Sequence, residues 1–301
     1  MQTIGSYTRR VLVFLAPLAL LLGVAEALLR RIPNDYAFKA ERMLRDGESF
    51  EFLILGSSHA YRGIDPELMG GAGFNAANVS QDLGYDRAIL ERYLSSMPNL
   101  KDLYIPISYG SLTSELTLGK EAWRAKNYTL YMDLPSRSFD LGEHLELLNA
   151  PLREQLVRIT GHLQNGTDNR QCASSGAGAQ PLPTAVDLVS DGREAAVRHS
   201  HPERATKTAE EHLNAIIDLA TGRGIRVHLF IPPAWITYRE HILPHQIATI
   251  RDVCQRHAES QQGVTFHDLL DDPRFTEADF ADADHLARSG QMKLSKMLAD
   301  W

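Results

Sequence analysis

Two short stretches of the sequence hold the residue types of a nucleophilic serine site. The first is Gly56-Ser57-Ser58-His59, a small-residue turn that directly follows an apolar run. Such a turn can hold a serine hydroxyl exposed beside backbone N–H groups, which suits a nucleophile. An ordinary turn or a helix cap is the alternative interpretation of the same residues.

The second stretch, Asp282-Ala283-Asp284-His285, lies near the carboxyl end of the chain. Its carboxylates stand three positions and one position before the histidine. A carboxylate that orients an imidazole enables the imidazole to activate a hydroxyl group. A solvated acidic loop with a surface histidine is the alternative, but the two stretches together favour one catalytic site.

Alternating strands and helices would bring the two stretches to one edge of a sheet. Continuous apolar runs and their flanking turns predict five strands, at residues 52–55, 73–76, 103–107, 227–231 and 264–266. Amphipathic segments predict helices at about 82–95, with Ser80 as a candidate N-cap, and at about 208–222, 245–259 and 289–300. This order predicts a doubly wound, three-layer α/β sandwich of the flavodoxin type with a five-stranded parallel sheet.

An apolar segment near the amino terminus is long enough to cross a membrane. At 1.5 Å per residue, the 19 residues from Val11 to Leu29 would span about 28 Å, close to the ~30 Å hydrocarbon core. A cleaved signal peptide is the competing interpretation, but no convincing A-x-A site follows and Arg30-Arg31 resemble a stop. We favour an uncleaved single-pass anchor at residues 1–31, a stalk at 32–50, and an extracytoplasmic domain at 51–301.

Between about residues 110 and 205 the rhythm of strands and helices breaks. Aromatic patches are followed there by a Gly/Ala/Ser-rich run at 173–178. We predict that this stretch is an insertion or lid within the 51–301 domain, because too little apolar sequence recurs in it to bury a core of its own.

The composition excludes several classes of protein. With 44% hydrophobic and 23% charged residues, the chain is neither fibrous nor disordered. The net charge is −7, and the part of the chain that follows the basic anchor is acidic, so we expect no nucleic-acid partner. Cys172 and Cys254 lack the spacing of a metal or redox motif and form either one disulfide or two thiols. We expect neither a metal nor a cofactor.

Four blocks of the sequence carry a resemblance to a known superfamily. The blocks FLILGSSHAYRGIDPEL, FNAANVSQDLGYD, LYIPISYGSL and DFADADHLARSG resemble the SGNH/GDSL hydrolases, over most of residues 51–301. Within that superfamily the chain is similar to a membrane-anchored bacterial branch that includes periplasmic alginate O-acetylation proteins and D-alanyl-lipoteichoic acid proteins. The resemblance implies that Ser58 is the nucleophile, His285 the base and Asp282 the acid.

The chain departs from the superfamily pattern around the oxyanion hole. Ser57 replaces the usual aspartate, Gln81 stands near the place of a glycine, and the third block lacks its asparagine. The residues that we expect to stabilise an oxyanion or position the substrate are His59, Asn78, Ser80, Gln81, Ser108 and Asp284.

The resemblance implies a serine esterase or O-acyltransferase in the bacterial inner or cytoplasmic membrane. Its substrate would be an acylated carbohydrate or envelope polymer, and a membrane-bound O-acyltransferase would be a partner. Hydrolysis and transfer use the same chemistry with different acceptors. The alternative is a catalytically silent protein of the same fold that binds the polymer or the acyltransferase.

Overall fold

The computed structural model describes residues 2–137, 141–178, 187–200 and 207–301. The chain divides into two compact units. The first unit comprises Met1–Phe38 and Trp123–Arg170, and the second comprises Lys39–Ala122 and Gln171–Trp301.

The second unit is built on a five-stranded, all-parallel sheet. Its strands are β1 (Phe52–Ile54), β2 (Gly73–Asn75), β3 (Asp102–Pro106), β4 (Arg226–Ile231) and β5 (Val264–Asp268). They lie in the order β2-β1-β3-β4-β5, which is the flavodoxin-like order. The prediction of a doubly wound α/β fold with a five-stranded parallel sheet is confirmed.

The helices of the chain alternate with these strands. They are α1 (Gln2–Arg30), α2 (Asp35–Arg45), α3 (Ser58–Gly63), α4 (Leu83–Tyr93), α5 (Ala125–Met132), α6 (Leu152–Asn165), α7 (Leu188–His199), α8 (Lys207–Thr221), α9 (Ile236–Arg239), α10 (Pro244–Ser260) and α11 (Arg288–Ala299). Within the second unit, α4 packs against α8 and α3 packs against α11.

The burial of β1 explains why the inner strands of this sheet are continuous apolar runs and do not alternate between apolar and polar residues. Leu53 and Ile54 are fully buried and Phe52 is nearly so, because helices cover both faces of a parallel sheet. The strand order reverses between β1 and β3. These two strands pair in parallel, with Phe52 opposite Asp102 and Ile54 opposite Tyr104. Ligand sites of such sheets lie beyond the carboxyl ends of the strands at this reversal, and the Ser58 turn follows β1 there.

The predicted N-cap of α4 is wrong by two residues. Asp82, not Ser80, precedes the helix, and the Asp82 side chain accepts a hydrogen bond from Tyr85 N at 3.0 Å. Ser80 has a left-handed backbone with φ of 60°, and its hydroxyl donates to Glu121. Aspartate and serine are equally good N-caps, so the residue types of the turn do not by themselves decide which residue caps the helix.

The helix α1 contains a segment, Tyr7–Arg30, that is long and apolar enough to cross a membrane. It has 24 residues, and an 18-residue stretch within it has a mean hydropathy of 2.4. Among the described residues no other helix meets these criteria of length and composition.

The first unit also holds α5 and α6, with two short 3-10 helices between them at Leu141–His144 and Glu146–Asn149. A buried ion pair joins Lys126 to Glu146 at 2.8 Å. Of the region around 110–205 that we predict to be an insertion, residues 138–140, 179–186 and 201–205 lie outside the described residues.

Candidate active site

Ser58 lies at the first position of α3, immediately after a sharp turn that follows β1. Gly56 makes this turn with φ of 117°, a backbone conformation that other residues rarely adopt. A Cβ at Gly56 would also lie 3.1 Å from Pro106 Cγ, so a larger residue would press against the end of β3. The sequence Gly-Ser-Ser therefore places the Ser58 side chain at the beginning of a helix, beside the end of the strand.

The buried carboxylate of Asp86, on α4, accepts a hydrogen bond from the backbone of the same turn. Gly56 N donates to Asp86 Oδ1 at 2.8 Å, and Gln81 Nε2 donates to the same oxygen at 2.6 Å. Burial raises the pKa of Asp86 from 3.8 to about 7, although both hydrogen bonds favour the ionised form. Asp86 was not among the residues predicted from sequence, because a carboxylate within a predicted helix carries no distinguishing motif.

Replacing Asp86 by Asn is expected to flatten the pH dependence of stability. Between pH 3.8 and about 7 the folded protein retains a proton on Asp86 that the unfolded chain releases, so the free energy of unfolding falls as the pH rises through this range. The amide introduced by Asp86→Asn would not titrate, and its oxygen can still accept from Gly56 N. Urea unfolding of both proteins across this pH range, in the same detergent, measures the difference, and parallel curves would contradict the assignment.

His285 lies in a tight loop that closes on itself. Phe280 and Leu286 form an antiparallel bridge, and Ala281 N donates to the His285 carbonyl at 2.9 Å. Within the loop, Asp282 Oδ1 accepts from His285 N at 2.6 Å and from Asp284 N at 3.1 Å. The backbone of the loop thus fixes the Asp282 carboxylate next to the imidazole.

The structure brings Ser58, His285 and Asp282 into one hydrogen-bonded chain. Ser58 Oγ lies 2.7 Å from His285 Nε2. On the other side of the ring, His285 Nδ1 lies 2.9 Å from Asp282 Oδ1 and 3.0 Å from Asp282 Oδ2. With Nδ1 donating to Asp282, the neutral imidazole presents a lone pair at Nε2 to the Ser58 hydroxyl.

Asp284 is a second carboxylate beside the same imidazole, and it is buried. Its Oδ1 lies 3.4 Å from His285 Nδ1, while its Oδ2 lies 3.4 Å from His59 Nε2 and 3.6 Å from His199 Nδ1. Neither oxygen has a hydrogen-bond partner of normal geometry, although both are inaccessible to solvent. Burial opposes ionisation of Asp284, but the facing His285 and His59 outweigh burial and hold its pKa well below the usual 3.8.

These carboxylates control the protonation of His285. Burial alone would lower the pKa of the imidazole, but Asp284 and Asp282 outweigh burial and raise the pKa from 6.5 to about 10. The imidazole is therefore cationic at neutral pH in this arrangement. The neutral base that a nucleophilic serine needs becomes abundant only as the pH rises.

Two further histidines complete the surroundings of Asp284. The His59 ring stacks on the His285 ring with centroids 4.8 Å apart and an interplanar angle of 13°. His199 Nδ1 lies 3.0 Å from the Tyr238 hydroxyl, and burial lowers the pKa of His199 to about 4, so that this ring is neutral near pH 7.

The remaining residues expected in the oxyanion hole make hydrogen bonds inside the protein. Asn78 Nδ2 donates to Ala76 O at 3.3 Å and to Gln81 Oε1 at 2.8 Å. Ser108 Oγ pairs with Ser111 Oγ at 3.0 Å. Gln81 and Ser80 bond to Asp86 and Glu121, as described above. The contacts of these four side chains therefore run to neighbouring protein groups, whereas His59 and Asp284 lie against His285.

Sequence reasoning missed the contribution of α7 to this site. Asp191 Oδ2 accepts from Ala283 N at 2.8 Å and so supports the His285 loop, and His199 at the end of the same helix faces Asp284. Both residues lie in the stretch predicted to be an insertion. No motif marks them, because their role depends on where α7 packs and not on their neighbours in the sequence.

Among the residues that the structure describes, two groups of side chains are close enough to share a metal ion. They are His59, Asp284 and His285, and Asp191, Asp282 and Asp284, with ligand atoms within 4.8 Å of one another in each group. In the first group the two rings are stacked nearly parallel. Nitrogen lone pairs lie in the ring planes, so those of His59 and His285 do not converge on one point.

The fold and the site define an α/β protein with a hydrogen-bonded serine, histidine and aspartate beyond the first strand of a parallel sheet. No protein-family model and no curated protein matches the chain. Among solved structures, the chain matches one described as "a putative platelet activating factor from Streptococcus pneumonia", with 13% sequence identity and a TM-score of 0.44, over 96% of this chain and 97% of that chain. We therefore argue the function from the residues of the chain itself.

Proposed function

We propose that the protein is a serine esterase or O-acyltransferase that acts on acyl esters of an extracytoplasmic polysaccharide or envelope polymer. One observation carries the chemical part of this proposal. Ser58 Oγ lies 2.7 Å from His285 Nε2, and Asp282 binds the opposite ring nitrogen at 2.9 Å. The class of substrate rests on the sequence resemblance.

In the proposed reaction, Ser58 Oγ attacks the ester carbonyl while His285 Nε2 takes the hydroxyl proton. Asp282 keeps the other proton on Nδ1 and stabilises the imidazolium that forms. The imidazolium then returns its proton to the leaving alcohol, which leaves an acyl group on Ser58. Water or a sugar hydroxyl next attacks this acyl-enzyme, again with His285 as base, and this acceptor decides between hydrolysis and transfer.

Backbone N–H groups are the proposed donors to the developing oxyanion. Ser58 and His59 are the first two residues of α3, and the first N–H groups of a helix have no acceptor within it. Loss of one oxyanion donor typically costs about 10²–10³ in rate, so the donation of the Asn78 amide to Ala76 and Gln81 lowers the expected activity of the site.

The engagement of the Asn78 amide inside the protein also favours the second candidate function. A protein that had lost its side-chain oxyanion donors could still bind an acylated polymer at the same edge of the sheet. In this alternative it would present the polymer to a membrane-bound O-acyltransferase, and α1 would hold it at the membrane.

Labelling with a fluorophosphonate separates the two candidates. We expect the probe to form a covalent adduct on Ser58, faster at alkaline pH than at neutral pH because neutral His285 must accept the proton. Intact-protein mass and peptide mapping identify the modified residue. Ser57→Ala is the matched control, since its hydroxyl lies 3.2 Å from His59 Nδ1 and not on His285. Absence of an adduct on Ser58 at any pH at which the protein is folded would favour the silent binding protein.

A further inference from the structure

The carboxyl end of α1 is built into the folded first unit. Leu29 is fully buried and forms an apolar cluster with Ile32 and with Ile159 of α6. Ala25 and Leu28 pack against this cluster. Cleavage after the apolar segment would remove Leu29 from the core, so the structure favours retention of α1 as an anchor over its removal as a signal peptide.

Glu26 shows how this end of α1 would be accommodated at a membrane. Its carboxylate accepts hydrogen bonds from Glu146 N at 3.1 Å and Leu147 N at 3.0 Å, and it pairs with Arg30 at 2.6 Å. A charged residue inside an apolar helix is costly in lipid unless protein groups satisfy it. Here the 3-10 helix Glu146–Asn149 supplies those groups.

The contact of Glu26 with Glu146 and Leu147 indicates how deep these two residues would lie in a membrane. Glu26 lies four residues before Arg30, the last residue of α1, which is about 6 Å along the helix axis. If α1 crosses the bilayer, Glu146 and Leu147 lie beside the last turn of the apolar segment, at the boundary between acyl chains and head groups.

The chain around this contact exposes a series of large apolar side chains. We call residues 141–165 the collar. Its exposed apolar residues are Leu141, Leu145, Leu148, Leu152, Leu156, Val157 and Leu163, with exposed fractions from 37% to 71%. An exposed apolar surface of this kind on a soluble protein would mark a site for a partner or a membrane.

The pattern of α6 gives its three exposed leucines a common direction. At 100° per residue, Leu152, Leu156 and Leu163 lie within about 40° of one another, next to Ile159, which packs against α1. Glu154 lies on the opposite side of the helix. The apolar side of α6 therefore adjoins the last turns of α1, where Ala25 and Leu28 are only partly buried.

We propose that the collar is embedded in the membrane interface around the carboxyl end of α1, so that the protein holds the bilayer through a surface as well as through a single helix. The proposal rests on α1 crossing the membrane and is independent of the chemistry at Ser58. Amphipathic helices at membrane surfaces bury their apolar side by about 5–10 Å, which is comparable to the depth of Glu26. Continuity with α1 favours lipid over a second protein as the occupant of this surface.

Environment-sensitive fluorophores on introduced cysteines test the proposal in the full-length protein reconstituted in phosphatidylcholine vesicles. The collar positions are Leu148→Cys, Leu156→Cys and Leu163→Cys. Leu18→Cys reports insertion of α1 itself. Glu154→Cys, on the opposite side of α6, and Val189→Cys, an exposed apolar residue of the second unit, are the matched controls. The unsubstituted protein measures labelling of Cys172 and Cys254, which are both buried.

We expect a nitroxide attached to lipid acyl chains to reduce the fluorescence at Leu18 and at the three collar positions, with aqueous iodide having little effect there. Iodide should reduce the fluorescence at the control positions. Quenching at Leu18 combined with iodide access at the collar would overturn the proposal. So would a collar shielded from both quenchers, which would indicate a second copy or another protein, and so would a lack of lipid quenching at Leu18.

Discussion

Replacing Ser58 or His285 by Ala is expected to remove nearly all ester cleavage. Removal of one member of such a group lowers kcat by about 10⁴–10⁶, because the remaining members cannot complete the proton transfer. The double variant should be hardly worse than either single variant, since Ser58 and His285 act as one unit through their 2.7 Å contact. Rates of release of p-nitrophenol from p-nitrophenyl acetate by the three variants and the wild-type protein measure the effect.

Two controls make this result specific to the proposed site. Ser57→Ala should retain activity, because the Ser57 hydroxyl faces His59 and not the imidazole that binds Ser58. The Ser58→Ala variant and the wild type should unfold at similar urea concentrations, because the Ser58 side chain lies in a polar site. Cleavage that survives in Ser58→Ala would contradict the proposed nucleophile, and losses that multiply in the double variant would contradict a concerted role.

The inner strands of the sheet, β1, β3 and β4, could be predicted from the sequence because they are covered on both faces. Such strands are short continuous apolar runs, and they end at turn residues such as Gly56, so their order and their ends were both visible. The Ser58 turn and the His285 loop could be located for a similar reason. The turn follows the apolar strand β1, and the loop precedes the amphipathic helix α11. The pairing of the strands then brought the two stretches to one edge.

The environment of the His285 imidazole could not be predicted in the same way. Asp284 was named from its position before His285, but its burial and its contacts with His59 and His199 depend on tertiary packing. His199 and Asp191 belong to α7, which no local pattern connects with the site. The role of Asp86 likewise depends on the hydrogen bond that it accepts from Gly56 N, and no spacing in the sequence reveals this bond.

The two carboxylates beside the His285 imidazole have different expected effects. One orients the ring, and the other mainly changes its pKa. Asp282 contacts His285 Nδ1 at 2.9 and 3.0 Å and fixes the tautomer of the ring. Asp284 lies further away, at 3.4 Å, and without a hydrogen bond of normal geometry. Asp282→Asn should therefore lower the rate at every pH, by about 10⁴, because an amide can hold the ring in the wrong tautomer.

Asp284→Asn should instead move the pH profile of kcat/KM. In the wild type the pKa of His285 is raised to about 10, so activity should increase with pH from neutral into the alkaline range as the imidazole loses its proton. The substitution removes the largest of the charges that favour the imidazolium. The midpoint of the rising limb should then fall by about 1–3 pH units.

The plateau of the Asp284→Asn profile should change in the opposite sense. Asp284 stabilises the imidazolium in the transition state as well as in the resting enzyme, so its loss should lower the rate that is reached at high pH while raising the fraction of neutral His285 at pH 7. The groups that remain around the ring are Asp282, the stacked His59 and, beyond Asp284, the neutral His199. An unchanged midpoint together with a lower plateau would show that Asp284 supports the loop without setting the protonation of the base.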